Sequence, residues 1–198
     1  MTFFGLVHCG ETVQETTKVP SDKMFKKGEL DFPNSFKADH LAKISFKDRT
    51  FILHGLFTKN KAHFKLNAFG DFDTFLFTVT YSGNRMKANI HFSPLKKKKF
   101  NAIHVGEDLW RIYYAKSNKS IRLFRKKNRD FPDRKVKLKY NKNNVLTHKL
   151  FYIGKQLSYR IQYKDYHDYN GIILAKVIIC ENLKYKYKLK IVTLKASR

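Results

Sequence analysis

The chain has 198 residues, of which 42% are hydrophobic and 15% aromatic, so it holds enough apolar side chains for one ordinary domain with a hydrophobic core. Its formal net charge is +25, and nearly all of this charge falls after residue 50. This composition excludes an intrinsically disordered chain, and no run of about 20 apolar residues predicts a membrane-spanning helix.

The first nine residues, MTFFGLVHC, combine a short apolar run with a cysteine. Leu6 lies three residues before Cys9 and Gly10 follows it, an arrangement that resembles a relaxed bacterial lipobox. A complete signal peptide also needs a basic segment and a longer apolar core. We therefore expect Cys9 to be a lipid-attachment site if the coding sequence extends upstream of Met1, with residues 1–8 a remnant of the signal. If Met1 is the true start, we expect a cytoplasmic protein.

Residues 9–35 are rich in Thr, Lys and Glu, contain Pro20 and Pro33, and show no sustained hydrophobic period. This pattern predicts a polar tether before a single β-rich domain at residues 36–198. The segment NSFKADHLAKI favours a short helix, with Asn34 or Ser35 as N-cap and Phe36, His40 and Ile44 along one face.

A period of two begins near Ser45 and dominates the rest of the chain. FTVTYSGNRMKANIHF predicts a hairpin, because apolar side chains alternate with polar ones on both sides of a Ser-Gly-Asn turn. Similar alternation recurs in KSIRLFRK, RKVKLKY, KLFYIGKQLSYRIQYK, GIILAKVIIC and LKYKYKLKIVTL. The sequence therefore predicts an antiparallel meander of about ten strands, as an incomplete or closed barrel.

Two stretches between the hairpin and these later strands break the alternation. PLKKKKF is the densest run of positive charge and is typical of a solvated loop, with Lys96, Lys97, Lys98 and Lys99 as candidate contacts for anions. FNAIHVGEDLWRIYYA has mixed helical spacing and predicts a short helix from about Glu107 to Tyr114. We expect one or two short helices of this kind to pack on the concave side of the sheet.

The familiar sequence signatures of catalysis are missing. The chain has no nucleophile elbow, phosphate-binding loop, dinucleotide fingerprint or zinc-binding His pair. Its two cysteines, Cys9 and Cys180, form no Cys-x-x-Cys motif, although the sequence leaves a disulfide between them open. We therefore expect a binding protein, with no catalytic residues, metal or cofactor.

With the strand pattern in hand, residues 51–83 and 159–194 resemble the carriers and receptors of outer-membrane lipoproteins, the Lol-type lipid-binding fold, and related small bacterial lipoproteins. Both stretches show that group's order of strands and Gly-containing turns, and together they cover about a third of the chain. The resemblance implies an incomplete barrel plugged by helices, with an apolar cavity for acyl chains. The high positive charge is a departure from the group.

We therefore predict a cell-envelope lipoprotein that binds an apolar, acyl-bearing ligand, with lysines around the edge of the site contacting anionic lipid head groups, in lipid or lipoprotein transport. The candidate cavity residues are large apolar side chains on the predicted inner faces: Phe75, Phe77, Tyr81, Met86, Ile90, Phe92, Trp110 and Tyr159. Two other functions use the same basic surface and stay open: nucleic-acid binding, and adhesion to acidic polysaccharide. A lysine-rich composition without function also accounts for the charge.

Overall fold

The computed structural model describes residues 17–19, 25, 32–47, 49–83, 85–98 and 100–198. Eleven strands are assigned within these ranges: β1 (Thr17–Lys18), β2 (Ser35–Phe46), β3 (Arg49–Asn60), β4 (His63–Phe69), β5 (Phe75–Ser82), β6 (Arg85–Ile90), β7 (Lys135–Tyr140), β8 (Leu146–Ile153), β9 (Gln156–Asp168), β10 (Ile173–Asn182) and β11 (Tyr187–Ser197). Three helices lie between β6 and β7: α1 (Ser93–Lys97), α2 (Ile103–Tyr113) and α3 (Asn118–Lys127).

The strands form one antiparallel sheet in the order β6-β5-β4-β3-β2-β11-β10-β9-β8-β7, and β1 pairs with β9. Two meanders meet where β2 pairs with the last strand, β11. Within the described residues β6 and β7 do not pair, so the sheet is open. The predicted β-rich antiparallel fold is confirmed, with three helices where one or two were expected.

The core lies between the concave face of the sheet and helices α2 and α3. Along β2 the even-numbered residues Phe36, Ala38 and His40 are buried while their neighbours face outward, as the two-residue period of a strand requires. Trp110 of α2 stacks on Phe124 of α3, with 4.0 Å between the ring centroids. The two helices therefore share one aromatic core with the sheet.

The helix predicted for residues 34–44 is wrong, because this segment is the central strand β2. Phe36, His40 and Ile44 are spaced by four residues, and this spacing places side chains on one face of a helix and of a strand alike. The twelve-residue pairings with β3 and the pairings with β11 decide between the two. Tertiary pairing therefore overrides the local pattern.

The strand predicted at residues 119–126 is also wrong, because the segment lies in α3. Ser117 and Ser120 form a reciprocal capping box at its start, and the buried side chains Ile121 and Phe124 are three residues apart. The lysine run begins in the short helix α1 where a loop was expected, and Pro94 occupies the first turn of that helix.

Part of the predicted tether contacts the domain. Thr17 and Lys18 pair with Asp168 and His167 at the end of β9, and Phe25 is buried. The domain boundary at residue 36 stays a prediction. Within the described part of the chain, no helix is long and apolar enough to cross a membrane.

Candidate ligand cleft beneath helix α2

A small apolar cleft separates α2 from the concave face of the sheet. Its volume is about 40 Å³, and it is bordered by β2, β3, β4, β5 and β11 below and by α2 above. The lining is apolar except for two histidines: Ala42, Ile44, Leu53, Gly55, Leu66, Ala68, Phe77, Val105, Leu109, Leu189 and Ile191, with His40 and His54. The arrangement suits an apolar ligand and no charged one.

Helix α2 comes close to the sheet at Gly106. A methyl group added there would lie 2.6 Å from Val79 Cγ1 and 2.5 Å from Met86 Sδ, closer than van der Waals contact allows. Because Val79 is β-branched and fully buried, its side chain has little freedom to give way. Gly106 therefore sets the distance between the helix and strands β5 and β6.

A buried ionic network holds the second half of α2. Arg111 Nε donates to Asp133 Oδ2 at 2.7 Å, and Arg111 Nη1 donates to Asp108 Oδ1 at 3.0 Å. Tyr187 of β11 donates to Asp108 Oδ2 at 2.6 Å, while Ser158 of β9 donates to Asp133 Oδ1 at 2.9 Å. Although burial opposes its charge, the carboxylates of Asp133 and Asp108 raise the pKa of Arg111. The network ties the helix to β9 and β11.

The carboxyl end of α2 is held by donors from the sheet. Lys149 Nζ donates to the carbonyl oxygen of Ile112 at 2.7 Å, and the Tyr163 hydroxyl donates to the same oxygen at 2.9 Å. A buried lysine at this end also complements the negative end of the helix dipole. The polar contacts that hold α2 from outside the helix therefore cluster in its last six residues.

His40 links the cleft to the helix. Its Nε2 lies 3.0 Å from the Tyr113 hydroxyl, and its other ring nitrogen, Nδ1, is buried without a hydrogen-bond partner. Burial, with a smaller contribution from nearby His54, lowers the pKa of His40 to about 4. The imidazole is thus neutral at physiological pH and compatible with an apolar cleft.

Of the eight predicted cavity residues, Phe77 lies in the cleft lining. Tyr81, Trp110 and Tyr159 are buried elsewhere in the core, and Met86 and Ile90 are half-buried against it outside the lining. Tyr81 and Trp110 both pack on Phe124 of α3. The predicted inner face is therefore correct for these residues, but most of it is filled by helices.

Phe75 and Phe92 are exceptions, because both are exposed. The pairing of β4 with β5 shifts by one residue between Ala68 and Phe69, so Leu76 is an extra residue in β5. This bulge turns Phe75 to the outer face, where it stacks on His91 with 4.1 Å between ring centroids. A prediction based on strict alternation of inward-facing and outward-facing residues could not reveal this shift in strand register.

The other predicted site residues lie outside the cleft or outside the described residues. Lys96, Lys97 and Lys98 are exposed on and just after α1, and Lys99 and Cys9 lie outside the described part. Cys180 is a buried free thiol whose pKa is raised by burial. Among the residues that the structure describes, no cluster of three or more His, Cys, Asp or Glu side chains is arranged to hold a metal ion.

Several cleft residues could not be found from the sequence pattern. Ala42, Leu53 and Leu189 come from segments far apart in the chain, and only the pairing of β2 with β3 and β11 brings them together. Gly106 carried a usable signal, since a glycine within a helical pattern commonly marks close packing.

A family model covers residues 37–195, most of the chain, and it is described as "Protein of unknown function (DUF3261)". The chain belongs to this family. A search of curated proteins by sequence finds no match.

Solved structures of the same fold extend the comparison. The DUF3261 chain is similar to the LolA superfamily protein NE2245 from Nitrosomonas europaea, with 12% identity and a TM-score of 0.54 over 86% of this chain and 89% of that one. It is also similar to a putative outer membrane lipoprotein-sorting protein domain from Vibrio parahaemolyticus, with 11% identity and a TM-score of 0.54 over 86% and 88%. The predicted Lol-type fold is confirmed.

Proposed function

We propose that this DUF3261 protein binds an acyl chain, carried by a lipid or a lipoprotein, in the cleft between α2 and the sheet. The observation that carries the proposal is the apolar lining of that cleft beneath a helix. The chain shares its fold with a LolA superfamily protein and with a putative outer membrane lipoprotein-sorting domain, and this likeness supports a lipoprotein as one carrier of the acyl chain. The proposed role is binding and not catalysis.

The cleft must widen to accept such a ligand. Its volume of about 40 Å³ holds roughly three water molecules, whereas small-molecule sites commonly measure about 300–1,000 Å³. Among the residues that the structure describes, the cleft under α2 is therefore much smaller than the acyl-chain cavity that the Lol-type resemblance implies. Side chains of α2 occupy the space that the strands alone would enclose.

We propose that α1 and the first turns of α2 move away from the sheet when the ligand enters. Val105, in this part of α2, is only half-buried, while the ionic and hydrogen-bond contacts of the helix with the sheet begin at Asp108. Ile44 and Leu53 on the opposite wall are also half-buried. The part of the helix that has no polar contact with the sheet thus covers the most accessible part of the cleft.

We further propose a cell-envelope location, with the domain anchored through a lipid on Cys9. The polar composition of residues 9–35 suits a spacer between an anchor and a domain. The Vibrio protein is described as a putative outer membrane lipoprotein-sorting domain, and the present chain shares its fold. Transport of lipid or lipoprotein is the corresponding biological role.

Two neighbouring residues on opposite faces of β2 give a matched test. Ala42 lines the cleft, whereas Leu41 is exposed on the outer face. We expect the unlipidated chain to bind a fluorescent C16 fatty-acid probe in vesicle-free buffer, Ala42→Phe to weaken binding at least tenfold, and Leu41→Phe to leave it unchanged. Equal affinity in all three proteins, or no binding by the wild type, would contradict the proposal.

A further inference from the structure

We propose that one end of the sheet docks on the surface of a lipid bilayer that contains anionic lipids. The docking surface consists of residues 46, 47 and 49–52 at the tip of the β2–β3 hairpin and residues 183–186 of the β10–β11 turn, and we call it the rim. The proposal goes beyond ligand binding in the cleft and does not depend on it.

Strand pairing places the two parts of the rim side by side. Phe46 of β2 pairs with Arg49 of β3 on one side and with Tyr187 of β11 on the other. The turn at residues 183–186 immediately precedes Tyr187 and joins β10 to β11. The hairpin tip and the turn are therefore adjacent on the same end of the sheet.

The rim exposes large apolar side chains. Phe46, Phe51, Ile52, Leu183 and Tyr185 are between 41% and 56% exposed. They account for five of the twelve exposed large hydrophobic side chains in the described part of the chain. Because these five come from two adjacent turns, they form a local concentration and not the scattered exposure that is normal on protein surfaces.

The rim is also strongly basic. Residues 46–52 and 183–186 contain four basic residues, Lys47, Arg49, Lys184 and Lys186, and one acidic residue, Asp48. The Lys47 ammonium lies 5.6 Å from the centre of the Phe46 ring, and the Lys184 ammonium lies 5.1 Å from that of Tyr185. Basic groups thus flank exposed aromatic rings, a combination suited to the polar–apolar boundary of a membrane.

Charge complementarity indicates that the partner of the rim is an anionic bilayer. A bilayer with anionic lipids offers negative headgroups to the lysines and an apolar layer just beneath them to the aromatic rings. Glu181, an acid near the turn, is already paired with Arg160 and Lys188. At the β4–β5 connection Asp71 and Asp73 flank the exposed Phe72, so we centre the surface on the hairpin tip and the turn.

Docking in this orientation would bring the cleft to the bilayer. Ala42, Ile44 and Leu53 line the cleft and lie on the same two strands as the hairpin tip. All three are half-buried, between the exposed rim and the buried centre of the sheet. A ligand leaving the bilayer at the rim would have a short apolar route to α2.

The test is flotation of the unlipidated chain with vesicles of 30% phosphatidylglycerol and 70% phosphatidylcholine, compared with pure phosphatidylcholine. We expect binding to the anionic vesicles and at least tenfold weaker binding to the zwitterionic ones. Phe46→Ser/Phe51→Ser should weaken anionic binding about tenfold or more, because two large apolar side chains no longer enter the interface. Leu56→Ser/Leu194→Ser, also at exposed apolar positions but away from the rim, should leave it unchanged.

Charge reversal separates docking from a general attraction of a basic protein to negative vesicles. Each rim lysine contributes about fivefold in affinity at an anionic surface. Lys47→Glu/Lys184→Glu should therefore weaken binding much more than Lys37→Glu/Lys65→Glu, which makes the same charge change at exposed sites nearer the opposite end of the sheet. Equal losses in both pairs would overturn the proposal.

Two other outcomes would also overturn it. Binding of wild type to neither vesicle is one. The other is unchanged vesicle binding by Phe46→Ser/Phe51→Ser together with a smaller oligomer in solution, which would assign the rim to self-association. Far-ultraviolet circular dichroism verifies that each variant is folded. The fatty-acid titration without vesicles reports on the cleft separately, so failure of docking and failure of the proposed ligand are distinguishable.

Discussion

The Nε2 atom of His40 lies 3.0 Å from the hydroxyl oxygen of Tyr113, joining the central strand β2 to the last residue of α2. Both side chains are buried, and Tyr113 also stacks on Phe57 of the neighbouring strand with 4.7 Å between ring centroids. The contact therefore connects the wall of the cleft, which His40 lines, with the helix that covers it.

This contact predicts a specific acid sensitivity. Burial lowers the pKa of His40 from 6.5 to about 4, so between these values the unfolded chain binds a proton at this site and the folded chain does not. The contribution of His40 to the free energy of unfolding is present above pH 6.5 and is lost as the pH falls toward 4, by up to roughly 3 kcal/mol. Urea unfolding of His40→Gln should show a smaller loss of stability over this range than wild type.

The exposed His63 supplies the control for this measurement. His63→Gln should keep the pH dependence of the wild type, because its side chain is exposed to solvent. Parallel stability curves for wild type and His40→Gln would show that acid acts through other groups.

The buried ionic network predicts a large difference between two similar substitutions. Asp133→Asn leaves the Arg111 guanidinium buried with one carboxylate fewer, at a cost of about 3–5 kcal/mol in the free energy of unfolding. Glu181→Gln alters the partly exposed pair with Arg160 and should cost no more than about 1 kcal/mol. Chemical denaturation of both amide variants gives the comparison, and similar losses would mean that Asp133 does not hold α2.

The close packing at Gly106 predicts that alanine at this position destabilises the protein, although alanine has the higher helix propensity. Alanine is favoured over glycine in a helix by about 1 kcal/mol, but its methyl group would overlap Val79 and Met86 and should cost about 1–3 kcal/mol. We expect Gly106→Ala to lower the unfolding free energy, and to lower it less in a Val79→Ala background. A more stable Gly106→Ala protein would show that the helix is free to move outward.

The lipobox-like sequence around Cys9 predicts that a lipid is attached to this residue. When the gene is expressed in a bacterium with its native upstream sequence, radiolabelled palmitate should enter the wild-type chain, and the protein should partition into detergent. Cys9→Ala should lose both properties, while Cys180→Ala, at a buried thiol, should keep them. Label in the Cys9→Ala variant would refute attachment at this residue.

Alternation of apolar and polar residues was sufficient to predict the hairpin of β5 and β6 and the strands β7 to β10, since a half-buried strand imposes that period on its side chains. The last strand was predicted from Leu183 but begins at Tyr187, because residues 183–186 form a turn. Trp110 was correctly placed on a helix packed against the concave face. The pattern failed at β2, where residues spaced by four fit a helix and a strand equally. It also failed at α3, where Ile121 and Leu123 suggested alternation although Leu123 is exposed.

The cleft was less predictable than the strands. Its lining depends on the register of five strands and on how closely Gly106 lets α2 approach, and neither property is local in the sequence. Most of the residues predicted to line the cavity were large and aromatic, but two of them, Tyr81 and Tyr159, fill the core around the helices. Small residues such as Ala42 and Ala68 leave the space instead.

The central claim is that an acyl chain enters the cleft beneath α2, and photo-crosslinking tests it most directly. The unlipidated chain would be irradiated with a palmitate analogue that carries a diazirine near its methyl end, then digested and mapped by mass spectrometry. We predict labelled residues in the cleft lining, on β2 and β3 near Ala42 and Leu53 and on α2 near Val105 and Leu109, with the label removed by excess palmitate. Labelling confined to outward-facing residues such as Leu56 and Leu194, with the cleft residues unlabelled, would contradict the account.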